Sequence, residues 1–413
     1  MVEGLRKSES LKILFVQDHL KSGGAARAAG RWAQLLARSG HNVRQVAGDE
    51  PSATGLLLTG KPPRGWPRVL EWFGDPTEGR KNIVRKKFKE LLSQEKPDLV
   101  WFHNLAGGAK WGWAEGMVTM ARGHAPVLWT LHDMWGLADR SESYWQEDSV
   151  VEGRRGQGAE RSDPKVEKCE GEKVGSGEES RVSRVCGENG KYPVQLTAPS
   201  HWLAELSKKM SGVGCAYLPN PIDLEIYSPG DRQAARQRLN LSESGPVVLA
   251  GAESLQDKRK GFDLLWQAWE RMAPPGATLA LFGRHGGARP GIRHLGHLVD
   301  EKDLVAAFEA ADLYVHPARM ENAPCTIQES LACGTPVLAF PVGGIPEMIQ
   351  PEKTGFLAGR MDSKSIGEAL VLAMGDRGRL SRMRETCREM AVQVWRPETL
   401  AESFRAAVER LSG

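Results

Sequence analysis

Short apolar runs alternate along the chain with stretches in which apolar residues recur every three or four positions. The run 11–16 is the first, and Ala28, Trp32 and Leu36 then repeat at helical spacing until Gly40. Such alternation is typical of β-α-β units, in which helices connect buried parallel strands. The pattern therefore predicts an α/β protein built on parallel sheets.

The apolar runs fall into two series, which Pro219, Pro221 and Pro229 separate. In the first series we expect strands at 11–16, 43–47, 98–102, 126–131, 194–198 and 216–218, with a helix at 200–210. In the second we expect strands at 246–251, 278–282, 313–316 and 336–340, with helices at 262–272, 302–311 and 326–333. Two doubly wound sheets follow, and such sheets bind ligands where the carboxyl ends of their strands face a cleft.

The length of 413 residues suits two domains. The two series place an N-terminal domain at 1–220 and a C-terminal domain at 221–397, which leaves 398–413 as a last helix. One face of that helix carries Leu400, Phe404, Ala407 and Leu411. A helix with such a face must bury it, and we expect it to cross back and pack on the N-terminal domain.

Two segments interrupt the alternation. From 140 to 191 the chain has 12 acidic and 10 basic residues and few large apolar ones, so we expect a mobile insertion that supplies no core. From 61 to 90, nine Lys or Arg residues stand against four acidic ones, interleaved with aromatic and aliphatic residues. That segment predicts either a surface that docks on anionic membrane or an amphipathic helix packed on the N-terminal sheet.

Composition narrows the class of protein. Apolar residues make up 40% of the chain and charged residues 26%, which excludes a disordered or a membrane-embedded protein. The net charge is only +3, so no nucleic-acid partner is expected.

The first apolar run is too short for a signal peptide, which predicts a cytoplasmic protein. The protein would be peripheral on the inner face of the membrane if 61–90 docks there. Six scattered cysteines without a C-x-x-C pair indicate free thiols and no metal site.

The run from Arg319 to Leu338 contains the densest chemical signal. Glu321 lies at a strand-to-helix crossover, and the amides of 323–326 begin a helix whose positive end can hold a diphosphate. Glu329 lies one turn into that helix, where its carboxylate can accept hydrogen bonds from a ribose diol. The alternative is that both are ordinary surface acids. The flanking glycines and prolines favour a ligand site.

Two further features suit a phosphate-bearing ligand. The basic run 258–260, which includes Arg259 and Lys260, precedes a predicted helix, a position suited to a pyrophosphate, although a solvated basic run has the same pattern. Gly23 and Gly24 follow the first strand and would let the backbone approach a ligand closely, but an ordinary tight turn would also use them.

The segment containing Glu321 and Glu329 resembles the retaining nucleotide-sugar glycosyltransferases of family 4. Their hallmark is two glutamates separated by seven residues, followed by an Ala-Cys-Gly-Thr-Pro-Val run and a Gly-Gly-Ile-Pro-Glu turn, here at 332–337 and 343–347. The resemblance implies the GT-B architecture, with Glu321 facing the donor sugar and Glu329 binding the nucleotide ribose. It implies that the donor-binding loop between them consists of Asn322, Ala323, Pro324, Cys325 and Thr326.

The resemblance extends over most of the chain. It includes the glycine pair at 23–24 and the segments 130–135, 198–202, 219–223 and 259–261. The His-Asp-Met-Trp run is similar to a subgroup that builds exopolysaccharides and lipid-linked oligosaccharides, which implies that His132 lies near the reacting sugar and the acceptor. A neutral imidazole there can accept or relay a proton, and Asp133 can orient it or meet the acceptor hydroxyl. The alternative is a structural histidine that caps the strand.

Three features depart from the family pattern. Ser254 stands where family members have an arginine, six residues before the lysine that aligns with Lys260, so Lys258 or Arg259 would have to substitute for it. Cys325 stands where the subgroup has asparagine, and the charged insertion replaces a cysteine-containing loop. These departures bear on how donor and acceptor are recognised.

The sequence therefore predicts a retaining glycosyltransferase that moves a sugar from a nucleoside diphosphate, of UDP or GDP type, to an acceptor hydroxyl. The acceptor would be a glycan or a lipid-linked glycan in exopolysaccharide or cell-envelope assembly. Basic side chains and helix termini would stabilise the departing diphosphate without a metal ion. A GT-B epimerase or hydrolase of nucleotide sugars, and a non-catalytic nucleotide-sugar binding protein, are the alternatives.

Overall fold

The computed structural model describes residues 10–19, 23–47, 76–103, 105, 115–134, 136–137, 180–187, 190–286 and 291–412. Within these ranges the chain forms two six-stranded sheets. Every strand pair between named strands is parallel, so the chain must cross over between neighbouring strands. The predicted fold class, α/β with two doubly wound domains, is confirmed.

The N-terminal sheet has the strand order β2-β1-β3-β4-β5-β6. Its strands are β1 Lys12–Gln17, β2 Asn42–Ala47, β3 Leu99–His103, β4 Val127–Thr130, β5 Val194–Ala198 and β6 Cys215–Tyr217. The helices are α1 Gly23–Arg38, α2 Pro76–Glu95, α3 Glu115–Ala121, α4 Arg181–Gly187 and α5 His201–Ser211. The central strands β3 and β4 are buried along their whole length, as expected for a parallel sheet covered on both faces.

The C-terminal sheet has the strand order β12-β11-β10-β7-β8-β9. Its strands are β7 Val247–Ser254, β8 Thr278–Arg284, β9 Ile292–Gly296, β10 Leu313–His316, β11 Val337–Ala339 and β12 Gly355–Leu357. The helices that follow β6 are α6 Arg232–Arg238, α7 Phe262–Met272, α8 Glu301–Ala310, α9 Cys325–Ala332, α10 Ile345–Met348, α11 Ser363–Met374, α12 Arg377–Trp395 and α13 Pro397–Glu409. Single 3-10 turns lie at Lys258–Lys260 and Arg410–Ser412.

The two edge strands of the C-terminal sheet, β9 and β12, were not predicted from the sequence. Strand β9 contains Arg293 and His294 and has no fully buried residue. Strand β12 has only three residues. A strand that is short or half-buried lacks the continuous apolar run by which buried strands are recognised.

The last helix, α13, packs on the N-terminal sheet. Leu400, Phe404 and Ala407 belong to one buried cluster with Trp32 and Trp101. The rings of Phe404 and Trp101 are stacked, with centroids 5.4 Å apart. The predicted apolar face is therefore buried on the domain with which the chain began.

The segment 140–191 differs from the prediction near its end. Residues 181–187 form α4, in which Val182 and Val185 are buried in the N-terminal core. The Arg122 side chain donates a hydrogen bond to the carbonyl of Val185. The expectation of a segment that supplies no core is wrong there, because two valines one turn apart anchor a short helix. Residues 140–179 lie outside the described residues.

Helix α2 covers the later part of the basic segment 61–90. Val84 and Phe88 are fully buried in the N-terminal core, whereas Ile83 is 46% exposed. Lys86 and Lys87 are exposed. In this part the apolar face is packed on the protein, as one of the two alternatives expected. Residues 61–75 lie outside the described residues.

Among the described residues, no helix is long and apolar enough to cross a membrane. The described cysteines are all free thiols, namely Cys186, Cys215, Cys325, Cys333 and Cys387. The remaining cysteine, Cys169, lies outside the described residues.

Candidate functional site

The carboxyl ends of strands from both sheets meet at one place. His103 ends β3, His132 follows β4, and His316 ends β10 in the other domain. Asn322, in the loop after β10, donates a 3.2 Å hydrogen bond through Nδ2 to the carbonyl of His132. Asn322 also accepts a hydrogen bond from the hydroxyl of Ser200, which caps α5. The loop before α9, predicted to bind the donor, is thus in contact with the N-terminal domain, predicted to bind the acceptor.

Glu321 lies in the loop between β10 and α9, beside Lys260. The Lys260 ammonium donates a hydrogen bond to Glu321 Oε1, and His316 Nε2 lies 3.4 Å from the same oxygen. Burial alone would raise the pKa of Glu321, but Lys260 and His316 together lower it to about 2. Burial lowers the pKa of His316 in spite of Glu321. Glu321 is therefore an anion at physiological pH.

Glu329 is fully buried and is bound by two arginines of the N-terminal helix α1. Its Oε1 accepts hydrogen bonds from Arg31 (2.7 Å) and Arg27 (2.9 Å), and its Oε2 lies 3.2 Å from the same Arg27 nitrogen. Burial would raise the pKa of Glu329, but the two guanidinium groups lower it. The carboxylate predicted to bind a ribose is thus already hydrogen-bonded across the cleft.

The start of α9 lies against the start of α1. Pro324 precedes the helix, and Cys325 Sγ lies 3.6 Å from the carbonyl of Gly24. Gly23, the first residue of α1, has a φ of 87°, which favours glycine. Burial raises the pKa of Cys325, so its thiol stays protonated and unreactive. The glycine pair and the donor loop predicted from the sequence are therefore in contact.

Ala323, in the loop, and Thr326, in the first turn of α9, contact the framework around the site. The carbonyl of Ala323 accepts a 3.2 Å hydrogen bond from Asn220 Nδ2, in the segment that joins the domains. Thr326 Oγ1 lies 3.5 Å from His316 Nδ1, on the side of the imidazole away from Glu321. Both contacts fix the loop relative to the strand ends.

Two glycines allow the backbone to pack closely around Glu321 and Lys260. Gly343 has a φ of 56°, and a Cβ atom there would lie 1.7 Å from the carbonyl oxygen of Glu321. Gly261 has a φ of 66°, and its Cβ would lie 1.9 Å from the carbonyl oxygen of Pro317. No side chain fits at either position, so both loops require glycine.

His132 and Asp133 are half-buried at the end of β4. His132 Nε2 lies 3.0 Å from Nδ1 of His103, which is fully buried. Burial lowers the pKa of His132 to about 4. The imidazole is therefore neutral at physiological pH and can accept a hydrogen bond.

The residues of the basic run 258–260 have different partners. Arg259 is half-exposed and forms two hydrogen bonds, of 3.2 and 2.7 Å, with Asp257 in its own loop. Lys260 alone reaches Glu321. Ser254 Oγ lies 3.2 Å from His285 Nδ1, and the residue paired with Ser254 on the neighbouring strand is Arg284.

Three residues of the site were not identified from the sequence. Arg31 lies four residues after Arg27, on the same face of α1, and that spacing was the available signal. His103 and His316 are polar residues at the carboxyl ends of buried strands, where α/β folds place their ligands. Among the described residues, no cluster of three His, Cys, Asp or Glu side chains is placed to hold a metal ion.

Both halves of the chain match glycosyltransferase family models. Residues 22–161 match the model described as Glycosyltransferase Family 4, and residues 245–376 match Glycosyl transferases group 1. These matches support a GT-B glycosyltransferase.

Two curated relatives of this glycosyltransferase are D-inositol 3-phosphate glycosyltransferases. The enzyme of Nocardia farcinica is 26% identical over 347 residues, which cover 78% of the chain and 71% of the relative. The enzyme of Mycobacterium bovis is 32% identical over 211 residues, which cover 45% of the chain and only 42% of the relative.

Solved structures share the fold at lower identity. Sucrose-phosphate synthase from Thermosynechococcus elongatus superimposes with a TM-score of 0.70 at 19% identity, over 97% of this chain and 99% of that one. Anabaena HepE in complex with UDP-glucose superimposes with a TM-score of 0.66 at 16% identity, over 97% and 100%. WaaG, a glycosyltransferase of lipopolysaccharide biosynthesis, gives 0.62 at 18% identity, over 97% and 100%.

Proposed function

We propose that the chain is a retaining glycosyltransferase that moves a sugar from a nucleoside diphosphate to an acceptor hydroxyl. The observation that carries the proposal is the ion pair of Lys260 and Glu321, which lies next to the Asn322 contact with His132. An anion and a cation side by side, the anion in a loop that also contacts His132 of the other domain, suit a reaction in which a sugar carbon becomes positive and a diphosphate becomes more negative. The UDP and UDP-glucose complexes of HepE agree with such a donor.

The residues have separate tasks in this reaction. The Glu321 carboxylate stabilises positive charge on the sugar carbon, while Lys260 and the amides at the start of α9 stabilise the departing diphosphate. The acceptor oxygen bonds to the sugar carbon as the bond to the diphosphate oxygen breaks, and both occur on the same face of the sugar. The hydroxyl proton passes to the diphosphate oxygen. Before that transfer, neutral His132 accepts a hydrogen bond from the hydroxyl and orients it.

The acceptor is proposed to be a hydroxyl of a glycan or lipid-linked glycan in exopolysaccharide or cell-envelope assembly. The structural neighbour WaaG, a glycosyltransferase involved in lipopolysaccharide biosynthesis, agrees with this choice. The curated relatives favour a second candidate, a small phosphorylated polyol, since they are D-inositol 3-phosphate glycosyltransferases. The two candidates require the same donor chemistry and differ in the N-terminal half of the cleft.

Labelled donors test the function directly. The protein is incubated with UDP- and GDP-sugars, each with inositol 3-phosphate or with a bacterial lipid extract, and the products are separated and their anomeric configuration is determined by NMR. Transfer with the donor's configuration supports the proposal. Free sugar indicates a hydrolase, an altered sugar indicates an epimerase, and tight binding without turnover indicates a binding protein. An inverted product contradicts the retaining mechanism.

A further inference from the structure

The pair of histidines at the ends of β3 and β4 has a geometry that the reaction outlined above does not explain. The strands are parallel neighbours, with His103 opposite Thr130, so the two rings come from adjacent strand ends. Their facing nitrogens, His103 Nδ1 and His132 Nε2, are 3.0 Å apart. At that distance one nitrogen donates and the other accepts.

His103 is held firmly in one orientation. It is fully buried, and its ring stacks on Phe15 with centroids 5.2 Å apart and planes 8° apart. The ring centroid of Trp101 lies 4.8 Å from that of His103. Burial lowers the pKa of His103 well below its usual value, and that of His132 as well, so two neutral rings share one hydrogen bond. Each neutral ring carries one N–H proton, either on Nδ1 or on Nε2.

The surroundings of Gln17 indicate whether the proton of His103 is on Nδ1 or on Nε2. It is the residue paired with His103 on β1, so both side chains lie on the same face of the sheet on neighbouring strands. The Gln17 amide nitrogen donates to Gln45, which leaves Gln17 Oε1 as a buried acceptor without a partner. His103 Nε2 is likewise buried without a partner.

A proton on His103 Nε2 provides a donor on the same face of the sheet as that acceptor, and one water can bridge the two groups. A proton on His103 Nδ1 would instead leave two buried acceptors on the same face of the sheet, both without a donor, which is costly. The first arrangement makes His103 Nδ1 the acceptor, and His132 Nε2 must then carry the proton. His132 Nδ1 consequently has a free lone pair.

We propose that His103 is a positioning residue that fixes His132 in the tautomer protonated at Nε2. His132 Nδ1 is then the atom that accepts a hydrogen bond from the hydroxyl of the acceptor substrate. This inference rests on the proposed function for the identity of the hydroxyl, but not for the tautomer. His103 does not touch the substrates. It acts by preventing His132 from presenting an N–H group at Nδ1, because an N–H group cannot accept a hydrogen bond from the hydroxyl.

Two substitutions separate the hydrogen bond from packing. His103→Leu removes the acceptor, whereas His103→Asn keeps an amide oxygen near the position of Nδ1. Phe15→Leu is the matched control, since it removes the ring stacked on His103 and leaves both imidazoles in place. Nitrogen-15 NMR of histidine-labelled protein, with His132→Asn to assign the signal, reports the tautomer without any substrate.

We expect His132 protonated at Nε2 in the unchanged protein, in Phe15→Leu and in His103→Asn, and a mixture of tautomers in His103→Leu. Turnover should fall about tenfold to a hundredfold in His103→Leu with the nucleotide Kd unchanged, and should recover in part in His103→Asn. A His132 protonated at Nδ1 in the unchanged protein overturns the proposal. So does a His103→Leu variant with full turnover in a protein that transfers sugar. If no transfer occurs at all, the proposed function fails while the NMR result still decides the tautomer.

Discussion

Arg31 in the N-terminal domain and Glu329 in the C-terminal domain form a 2.7 Å ion pair in which neither side chain is more than 7% exposed. Arg27 binds the same carboxylate from one turn earlier on α1. Arg31 also lies over the ring of Tyr227, 4.9 Å from its centroid, and 3.7 Å from Glu301. One carboxylate therefore joins the two halves of the molecule.

Glu329→Gln is expected to destabilise the protein and to weaken donor binding. The buried Arg31 and the half-buried Arg27 would lose their counter-charge, and breaking a buried pair typically costs about 3 to 5 kcal/mol. Losing a charge-assisted hydrogen bond should lower donor affinity by about one to two decades. Urea unfolding and calorimetric titration of nucleoside diphosphates measure the two effects.

The matched control for Glu329→Gln is Glu368→Gln, because Glu368 forms an exposed 3.8 Å pair with Lys364. Exposed helix pairs contribute about 0.5 kcal/mol or less. If both substitutions changed the free energy of unfolding equally, the interdomain ion pair would have no special role. Unchanged nucleotide affinity in Glu329→Gln would contradict its predicted role at the ribose.

Lys260→Met and Glu321→Gln should affect different kinetic constants. Removing the ammonium should weaken donor binding by one to two decades, because a charged contact to the diphosphate is lost. Removing the carboxylate charge should lower turnover at saturating donor. Arg259→Met is the comparison, and we expect a smaller loss because Asp257 already holds that guanidinium. Equal losses of donor affinity at 259 and 260 would contradict the position of Lys260 in the site.

Acidification should destabilise the protein from about pH 6.5 downwards. Burial lowers the pKa values of His103 and His132 in the folded protein below the ordinary 6.5, that of His132 to about 4. The unfolded chain therefore binds protons first, and each such histidine lowers the free energy of unfolding by about 1.4 kcal/mol per pH unit. Urea unfolding between pH 7 and pH 5 measures the slope. His103→Asn combined with His132→Asn should reduce it, and an unchanged slope would show that these rings are not buried as neutral groups.

The basic face of α2 is proposed to bind anionic membrane. Its apolar residues Val84 and Phe88 are in the core, so binding should rest on charge, at about 1 kcal/mol per basic residue near the surface. Co-sedimentation with vesicles should need anionic lipid and should weaken as salt rises. Neutralising the basic residues of this face should abolish it, namely Arg85, Lys86, Lys87 and Lys89. Equal recovery with neutral and anionic vesicles would exclude this surface.

The sequence by itself determined the two sheets, except for the edge strands β9 and β12, and the loop that carries Glu321. Buried parallel strands are rich in apolar residues, and the strands at 194–198 and 313–316 were predicted to the residue. The glycines at 261 and 343 meet a local requirement, because both residues have positive φ values, 66° and 56°, which favour glycine. Such features depend on neighbours in sequence, and pattern analysis detects them.

Tertiary structure alone decided which side chains meet across the cleft. Nothing in the spacing of Arg31 and Glu329 shows that they pair, since the contact arises only when the two domains dock. The contact of His132 with His103 could not be predicted from the sequence either, because it depends on β3 and β4 being neighbours in the sheet. Charges and imidazoles interact over a few ångströms in space, and distance along the chain does not encode that proximity.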